Sequence, residues 1–281
     1  MRTRLSLLPL AAVLLLPRLA TAQRDPDWTA PEQPFRIYGN TYYVGTHGLA
    51  SILVTSPSGH ILIDATLAEN APMIMEHIRA LGFRAEDVKL ILNSHAHYDH
   101  AAGTAELQRV TGATVAASAW SAGVLEHGSS AKDDPQFGLV LDYPPVQNVR
   151  VFNDGDTLRV GPLALAAHST PGHTPGGTSW SWMSCEADKC LEIVYADSQT
   201  PVSADGFLYS KSDGPAQFQR AYAALEQLRC DILVTPHPGV SAFFDRVAGK
   251  TLVDPQACRR YVTSAREALA KRLERESAPK Q

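Results

Sequence analysis

Four side chains able to bind a metal fall within six residues of this chain: His95, His97, Asp99 and His100, in Asn93-Ser94-His95-Ala96-His97-Tyr98-Asp99-His100. Imidazole and carboxylate are the donors Zn²⁺ takes up. The apolar run Val88–Leu92 directly precedes the cluster and reads as a buried strand. The donors therefore sit on the loop leaving that strand's C-terminal end. In an extended loop, residues two apart point to one side, so His95 and His97 face one position. Asp99 continues the alternation, while His100 turns with the chain at a helix start and can face a second. One loop can thus supply two neighbouring metals. Isolated histidines such as His47, His60, His77 and His127 read as surface or hydrogen-bonded residues.

Further donors stand at other strand ends. His173 lies in Ser169-Thr170-Pro171-Gly172-His173-Thr174-Pro175-Gly176-Gly177, a rigid Gly/Pro turn. His237 follows the buried strand Asp231–Val234 in Thr235-Pro236-His237-Pro238. The connection Ser129–Gln147 is rich in Asp, Pro and Gly yet carries Phe137, Leu139, Val140 and Leu141. Loops this long in a compact domain are uncommon and tend to be functional. This one either flaps over a site or packs onto the body.

The elements that must position these donors follow a repeated plan. Tyr42–Val44, Ser51–Thr55 and His60–Asp64 read as strands, the last two joined by the turn Ser56-Pro57-Ser58-Gly59. A helix over Asn70–Leu81 has apolar residues at Ile74, Ile78 and Leu81. After the strand Val88–Leu92 come a helix Ala101–Val110, a strand Thr114–Ala117 and a helix near Ala122–His127. Strands then restart at Val149–Phe152, Thr157–Val160, Leu163–His168, Ser179–Met183 and Leu191–Tyr195. Helices Ala216–Leu228 and Pro255–Glu274 bracket the strand Asp231–Val234. Two strand-then-helix halves in sequence predict an α/β fold: two sheets face to face with helices outside, a four-layer αβ/βα sandwich.

Residues 1–22 read as a cleavable secretory signal: basic Arg2 and Arg4, apolar Leu5–Leu16, and the cleavage site Ala20-Thr21-Ala22. The apolar stretch is too short to span a bilayer as a stable helix. A single domain over 23–281 is expected after cleavage, periplasmic, with no membrane attachment left. Losing Arg2, Arg4 and Arg18 takes the formal charge from −4 to −7, which argues against a nucleic-acid-binding surface. Four cysteines in an exported chain predict two disulfides, with more than one pairing formally possible. Cys185 and Cys190 flank a short turn and would close a hairpin. Cys230, before a strand, and Cys258, at a helix start, would tie helix to sheet.

His95-Ala96-His97-Tyr98-Asp99-His100, with Gly172-His173-Thr174-Pro175-Gly176 and His237 after an apolar strand, resembles the metallo-β-lactamase superfamily. Asp64, ending Ile61–Ile63, fits that family's buried structural aspartate. Finer features resemble subclass B3: the intact H-x-H-x-D-H, Tyr195-Ala196-Asp197-Ser198, Ser203-Ala204-Asp205-Gly206-Phe207, Tyr143-Pro144-Pro145, and both cysteine pairs. The resemblance implies two Zn²⁺ ions, one held by His95, His97 and His173, the other by Asp99, His100 and His237. It implies that Asp99 also orients the nucleophile. It puts Ser198 near the substrate carboxylate, with Ser203 or Thr200 as a second contact. Gln136, Phe137 and Leu141 would line the cleft, Trp28 would wall its other side or pack down, and His168 would be structural.

The implied reaction is hydrolysis of the β-lactam amide of penicillins, cephalosporins and carbapenems by a monomer, conferring antibiotic resistance. A hydroxide shared by two zinc ions about 3.5–4 Å apart would attack the carbonyl. No Gly-x-Ser-x-Gly nucleophile motif occurs. The rival on the same fold is a thioesterase resembling glyoxalase II, or a lactonase, in which Asp197 would bridge both metals. The complete hydrolytic ligand set argues against a non-catalytic metal-binding protein.

Overall fold

The computed structural model describes residues 25–278; the signal segment read at 1–22 lies outside the described residues. Alternating burial along short apolar strands decides the layering. On β4 (His60–Ile63) and β5 (Val88–Leu92), Ile61, Ile63, Leu90 and Leu92 face one core, while Leu62 and Ile91 face another. A strand buried on both faces must lie between two layers.

These strands are central in a seven-stranded sheet whose order follows the sequence. It comprises β1 (Phe35–Tyr38), β2 (Thr41–Tyr43), β3 (Ile52–Val54), β4, β5, β6 (Thr114–Ser118) and β7 (Arg150–Phe152). The pairs up to β3–β4 are antiparallel, and those from β4–β5 onward are parallel. The second sheet comprises β8 (Thr157–Val160), β9 (Leu163–Ser169), β10 (Thr178–Glu186), β11 (Lys189–Tyr195) and β12 (Ile232–Val234), ordered β12-β11-β10-β9-β8. Only its β11–β12 pair is parallel.

The inner core joins the sheets through Leu165, Ala167, Trp180, Ile193 and Tyr195 against Ile61, Ile63, Leu90 and Leu92. Outside the first sheet pack α1 (Ala71–Ala80), α3 (Thr104–Thr111) and α4 (Ala119–His127), through Ile74, Ile78, Leu107 and Leu125. Outside the second pack α5 (Gly214–Gln227) and α7 (Ala257–Ser277), through Phe218, Tyr222, Val262 and Leu269. This is the expected four-layer αβ/βα sandwich. Among the described residues no helix is long and apolar enough to cross a membrane.

One local expectation needs correction, and two points go beyond what was expected. The helix expected over Ala101–Val110 is two pieces, α2 (Tyr98–Ala101) and α3, separated at Gly103. There the chain presses on Ala65, whose carbonyl oxygen would lie 2.3 Å from any Cβ. The strand β1 and the helix α6 (Phe243–Ala248) were not anticipated, being too short to show periodicity. The loop before β7 does both things proposed for it. Tyr143 and Val146 are buried on the body, the Tyr143 hydroxyl donating to the Ala96 carbonyl at 2.8 Å, while Phe137, Leu139 and Leu141 stay exposed.

Both disulfides pair as expected. Cys185–Cys190 crosses directly paired positions of β10 and β11, and Cys230–Cys258 ties the segment before β12 to α7. They close loops of sequence separation 5 and 28. If the bridges act by restricting the unfolded chain, removing Cys230–Cys258 should cost about 1.5 kcal/mol more than removing Cys185–Cys190. Denaturant unfolding of the paired Cys→Ser variants measures this; equal costs would contradict it.

Candidate metal centre

Parallel strands bring their C-terminal ends to one edge. β4 and β5 deliver Asp64 and the histidine loop there, and β11 and β12 deliver Asp197 and His237. Asp64 sits left-handed at φ 58° and organises the loop's start. Its Oδ1 accepts from the Ser94 backbone N–H at 2.7 Å, and its Oδ2 from the Ser94 hydroxyl at 2.6 Å and the Tyr195 hydroxyl at 2.7 Å. The two sheets are tied again beside it: Thr178 N–H donates to the Ser94 carbonyl at 2.8 Å.

From Ser94 the chain stays extended through His97 (ψ 152°), then α2 begins at Tyr98. Asp99 therefore does not continue the strand-like alternation. It lies with His100 on a helical turn, where neighbours diverge by about 100°. His173 comes from the β9–β10 turn. The left-handed Gly172 (φ 135°) precedes it, and a Cβ there would lie 2.5 Å from the Phe218 ring. Only glycine lets this turn sit against α5.

Two groups of donors result. His95, His97 and His173 place one ring nitrogen each within a common 4.8 Å, all three side chains buried. Their ring centroids form a near-equilateral triangle of 4.9, 4.9 and 5.0 Å. In the second group the Nε2 atoms of His100 and His237 are 3.1 Å apart, and Asp99 Oδ2 lies 3.2 and 3.4 Å from them. His95 stands between the groups, its centroid 4.4 Å from that of His100 and its donor atom also within 4.8 Å of Asp99 and His100.

The far nitrogens of the first group are each held by an oxygen. His95 Nδ1 is 2.7 Å from Asp197 Oδ1, His97 Nε2 is 3.0 Å from Asp134 Oδ2, and His173 Nδ1 is 2.8 Å from the Thr200 carbonyl. An acceptor on one nitrogen fixes the tautomer and leaves the other nitrogen's lone pair free for a metal. His95 Nε2 is buried with no partner at all. Such an orphaned lone pair is costly unless a cation meets it, so these residues fit a metal.

Electrostatics agree. Burial, with the neighbouring histidines, holds His95 and His173 well below the usual imidazole range, in the neutral form a metal needs. Burial alone would raise Asp99, but His100 and His237 hold it well below the usual carboxylate range. Burial pushes Asp64 and Asp197 up to about 6 against the pull of nearby histidines and hydrogen-bond donors.

Residues 45–186 match the metallo-β-lactamase superfamily. The chain belongs to that superfamily. Among solved structures, Rm3 metallo-β-lactamase is 51% identical, with TM-score 0.88, over 90% of this chain and 97% of that one. MEM-A1, a subclass B3 metallo-β-lactamase from a soil metagenome library, is 46% identical, with TM-score 0.88, over 90% of this chain and 100% of that one. A probable metallo-hydrolase of Burkholderia pseudomallei is 31% identical over 39% of this chain and 35% of its own length. The chain spans 35% and 48% of the length of the first two curated relatives it matches. The superfamily resemblance read from the motifs thus holds, and the subclass resemblance is to B3.

In this superfamily member four of the donors, His97, Asp99, His173 and His237, form the floor of a cleft of about 300 Å³, while His95 and His100 are buried and do not line it. Its walls come from Trp28, from Tyr98, and from two loop segments: Gln136, Leu139 and Val140; Thr200 and Val202. Trp28 is therefore a wall residue, its ring 5.7 Å from that of His237. Gln136 lines the cleft as expected. Phe137 and Leu141 do not: turns bonded Phe137 N–H to Asp134 O and Leu139 N–H to Gln136 O send Leu139 and Val140 to the cleft instead.

Ser203 is also outside the cleft. The Arg272 guanidinium donates to its hydroxyl at 2.8 Å and to the Pro201 and Phe207 carbonyls, clamping the segment from below. Thr200 takes the wall position. Ser198 is buried next to Asp197 and is not among the wall residues. His168 is structural, bonded to the Ser181 hydroxyl at 2.9 Å. His47 bonds Glu32 and His77 the Val44 carbonyl, whereas His60 is buried against Phe83 with Nδ1 unpartnered, neither surface nor satisfied at that atom. The sequence reading missed Asp134 and Arg272 altogether. Asp133, Asp134 and Asp142 look alike in sequence, and only the fold selects one.

Asp64→Ala would leave the Ser94 N–H, the Ser94 hydroxyl and the Tyr195 hydroxyl buried and unpaired. At about 1–3 kcal/mol for each unsatisfied group, the loss should be ~3 kcal/mol or more, in metal-free protein as well as loaded. Denaturant unfolding of both forms checks this; a loss confined to the zinc-loaded form would contradict it.

Proposed function

We propose that this protein hydrolyses the β-lactam amide bond of penicillins, cephalosporins and carbapenems with two zinc ions, as a periplasmic, monomeric resistance enzyme exported by the segment 1–22. The observation that carries the reading is the six-side-chain donor set without a thiolate, four of whose members open onto an apolar-walled cleft, in a chain about half identical to metallo-β-lactamases over most of its length. His95, His97 and His173 would hold one ion; Asp99, His100 and His237 the other. Bound zinc supplies Lewis-acid polarisation of the substrate carbonyl and acidifies water to a nucleophile near neutral pH.

The chain's own groups do the rest. Asp99 presents a carboxylate at the cleft floor, kept ionised by His100 and His237, where it can orient the attacking water. Thr200 lines the wall, its hydroxyl oxygen 3.1 Å from His173 Nδ1, and that hydroxyl can donate its proton to the substrate carboxylate. The Gln136 amide offers a further polar contact, and Trp28, Leu139, Val140 and Val202 shield the reacting amide from bulk water. A thioesterase or lactonase of the same fold would need Asp197 on the metals. Here Asp197 Oδ1 meets His95 Nδ1, the nitrogen turned away from the donor groups, at 2.7 Å, and Asp197, although its Oδ2 has no partner, belongs to neither donor group, which favours the lactamase reading.

Purified protein loaded with zinc should turn over nitrocefin and a carbapenem, lose activity on exhaustive chelation and regain it with zinc, with two zinc per chain by metal analysis. Cleavage of thioesters or lactones with no lactam turnover would overturn the proposal. Within it, Thr200→Ala should raise KM several-fold at nearly unchanged kcat, since a contact shared by ground and transition states affects binding alone. Ser203→Ala should leave KM within about twofold and lower thermal stability slightly, the loss of one hydrogen bond being worth roughly 1 kcal/mol.

A further inference from the structure

The loop that walls the cleft is fastened to His97 of the three-histidine group through one side chain. Asp134 is buried, and both its oxygens face His97 Nε2, at 3.0 and 3.3 Å. The same carboxylate accepts from the Gln136 backbone N–H at 2.8 Å and the Ser130 hydroxyl at 2.8 Å. Gln136 in turn brings its amide nitrogen to 3.3 Å from His173 Nε2 and lines the cleft. The adjacent Pro135 carbonyl accepts from Ala204 N–H at 2.9 Å, so the second wall hangs on the same point. Asp133, its neighbour in sequence, is turned outward and takes the Trp120 indole N–H at 3.0 Å.

We infer that Asp134 is a positioning residue that couples metal occupancy to the fold of the cleft wall. By accepting from His97 Nε2 it keeps the proton there and presents Nδ1 to the three-histidine site. By accepting from Gln136 and Ser130 it makes that orientation and the loop's turn one arrangement. Coupling of this kind is reciprocal: a metal on His97 stabilises the loop, and an ordered loop tightens the metal. The inference rests on the metal reading given above.

The test compares wild type with Asp134→Ala, Asp134→Asn and Asp133→Ala, using zinc alone as probe. Competition against a chromogenic chelator gives the zinc affinities. Hydrogen exchange with and without zinc follows the amides of Gln136, Phe137, Leu139 and Val140, whose bonds define the turn. In wild type zinc should slow exchange at these amides. Asp134→Ala should weaken one of the two zinc sites about 10–100-fold, the range for such supporting partners, and abolish the zinc-dependent protection. Asp134→Asn, whose amide oxygen can still accept from His97, should recover part of both. Asp133→Ala should loosen the Trp120 contact and leave both zinc affinities unchanged. The inference is overturned if Asp134→Ala binds zinc like wild type, if Asp133→Ala weakens zinc equally, or if zinc leaves the wild-type loop's exchange unaltered. Wild type that binds no zinc at all would instead overturn the metal reading itself.

Discussion

The buried carboxylate of Asp64 is the constraint on which the rest of the structure depends. It ends β4, receives the first two hydrogen bonds of the histidine loop through Ser94, and takes the Tyr195 hydroxyl from the other sheet. One side chain thereby fixes where the loop departs, and how the two sheets meet at the edge where every donor sits. Burial works against its charge and lifts it to about 6, so the site is bought at some cost in stability. A neutral hydrophobe could join the sheets, but it could not turn the Ser94 N–H inward and start the loop. The left-handed backbone at Asp64 and at Thr66 belongs to the same device, since strain of that kind persists where surroundings over-determine it.

A second ring of acceptors then converts a cluster of histidines into a directed set. Imidazoles packed 4.4–5.0 Å apart between centroids could rotate or protonate in many ways. Asp197, Asp134 and the Thr200 carbonyl remove that freedom for the first group by claiming one nitrogen each. The second group is arranged differently: its three donor atoms meet one another directly at 3.1–3.4 Å, and His237 is the partly exposed member. His100 Nδ1 stands 4.0 Å from Asp64 Oδ2, too far for a hydrogen bond. Orientation in the second group therefore rests more on backbone, through α2 and the turn after β12, than on supporting side chains.

What could be read from the sequence follows the range of each interaction. The ligands of the histidine loop are contiguous and follow an apolar strand, so their chemistry and location show in a single stretch. Strands buried on both faces, such as Val88–Leu92, read clearly because every residue of the run but the exposed Lys89 is apolar. Asp134 could not be read: its partner His97 is 37 residues away, and Asp133 beside it has the same chemistry but bonds Trp120 outside the cleft. Phe137 and Leu141 were placed in the cleft by resemblance alone, and the tight turns of this chain send Leu139 and Val140 there instead. Between Ser203 and Thr200 the sequence left the choice open. The local motif around Ser203 says nothing of Arg272, which reaches it from α7 across 69 positions.

These misreadings share a location, and that location is informative. The floor of the site is built on strand ends, where pattern and neighbours dictate geometry. Two of its walls are irregular segments held by a few long-range contacts, chiefly Asp134 to His97 on one side, and Arg272 to Pro201, Ser203 and Phe207 on the other. The walls are joined by the Ala204–Pro135 backbone bond. A rigid floor with pinned but irregular walls lets wall side chains vary without disturbing the metal ligands, provided the pins remain. Substitutions at Leu139, Val140 or Val202 would then reshape the cleft alone. A change at Asp134 would act on the wall and on a ligand at once, and that separates the residues that tune which substrate fits from those that keep the centre assembled.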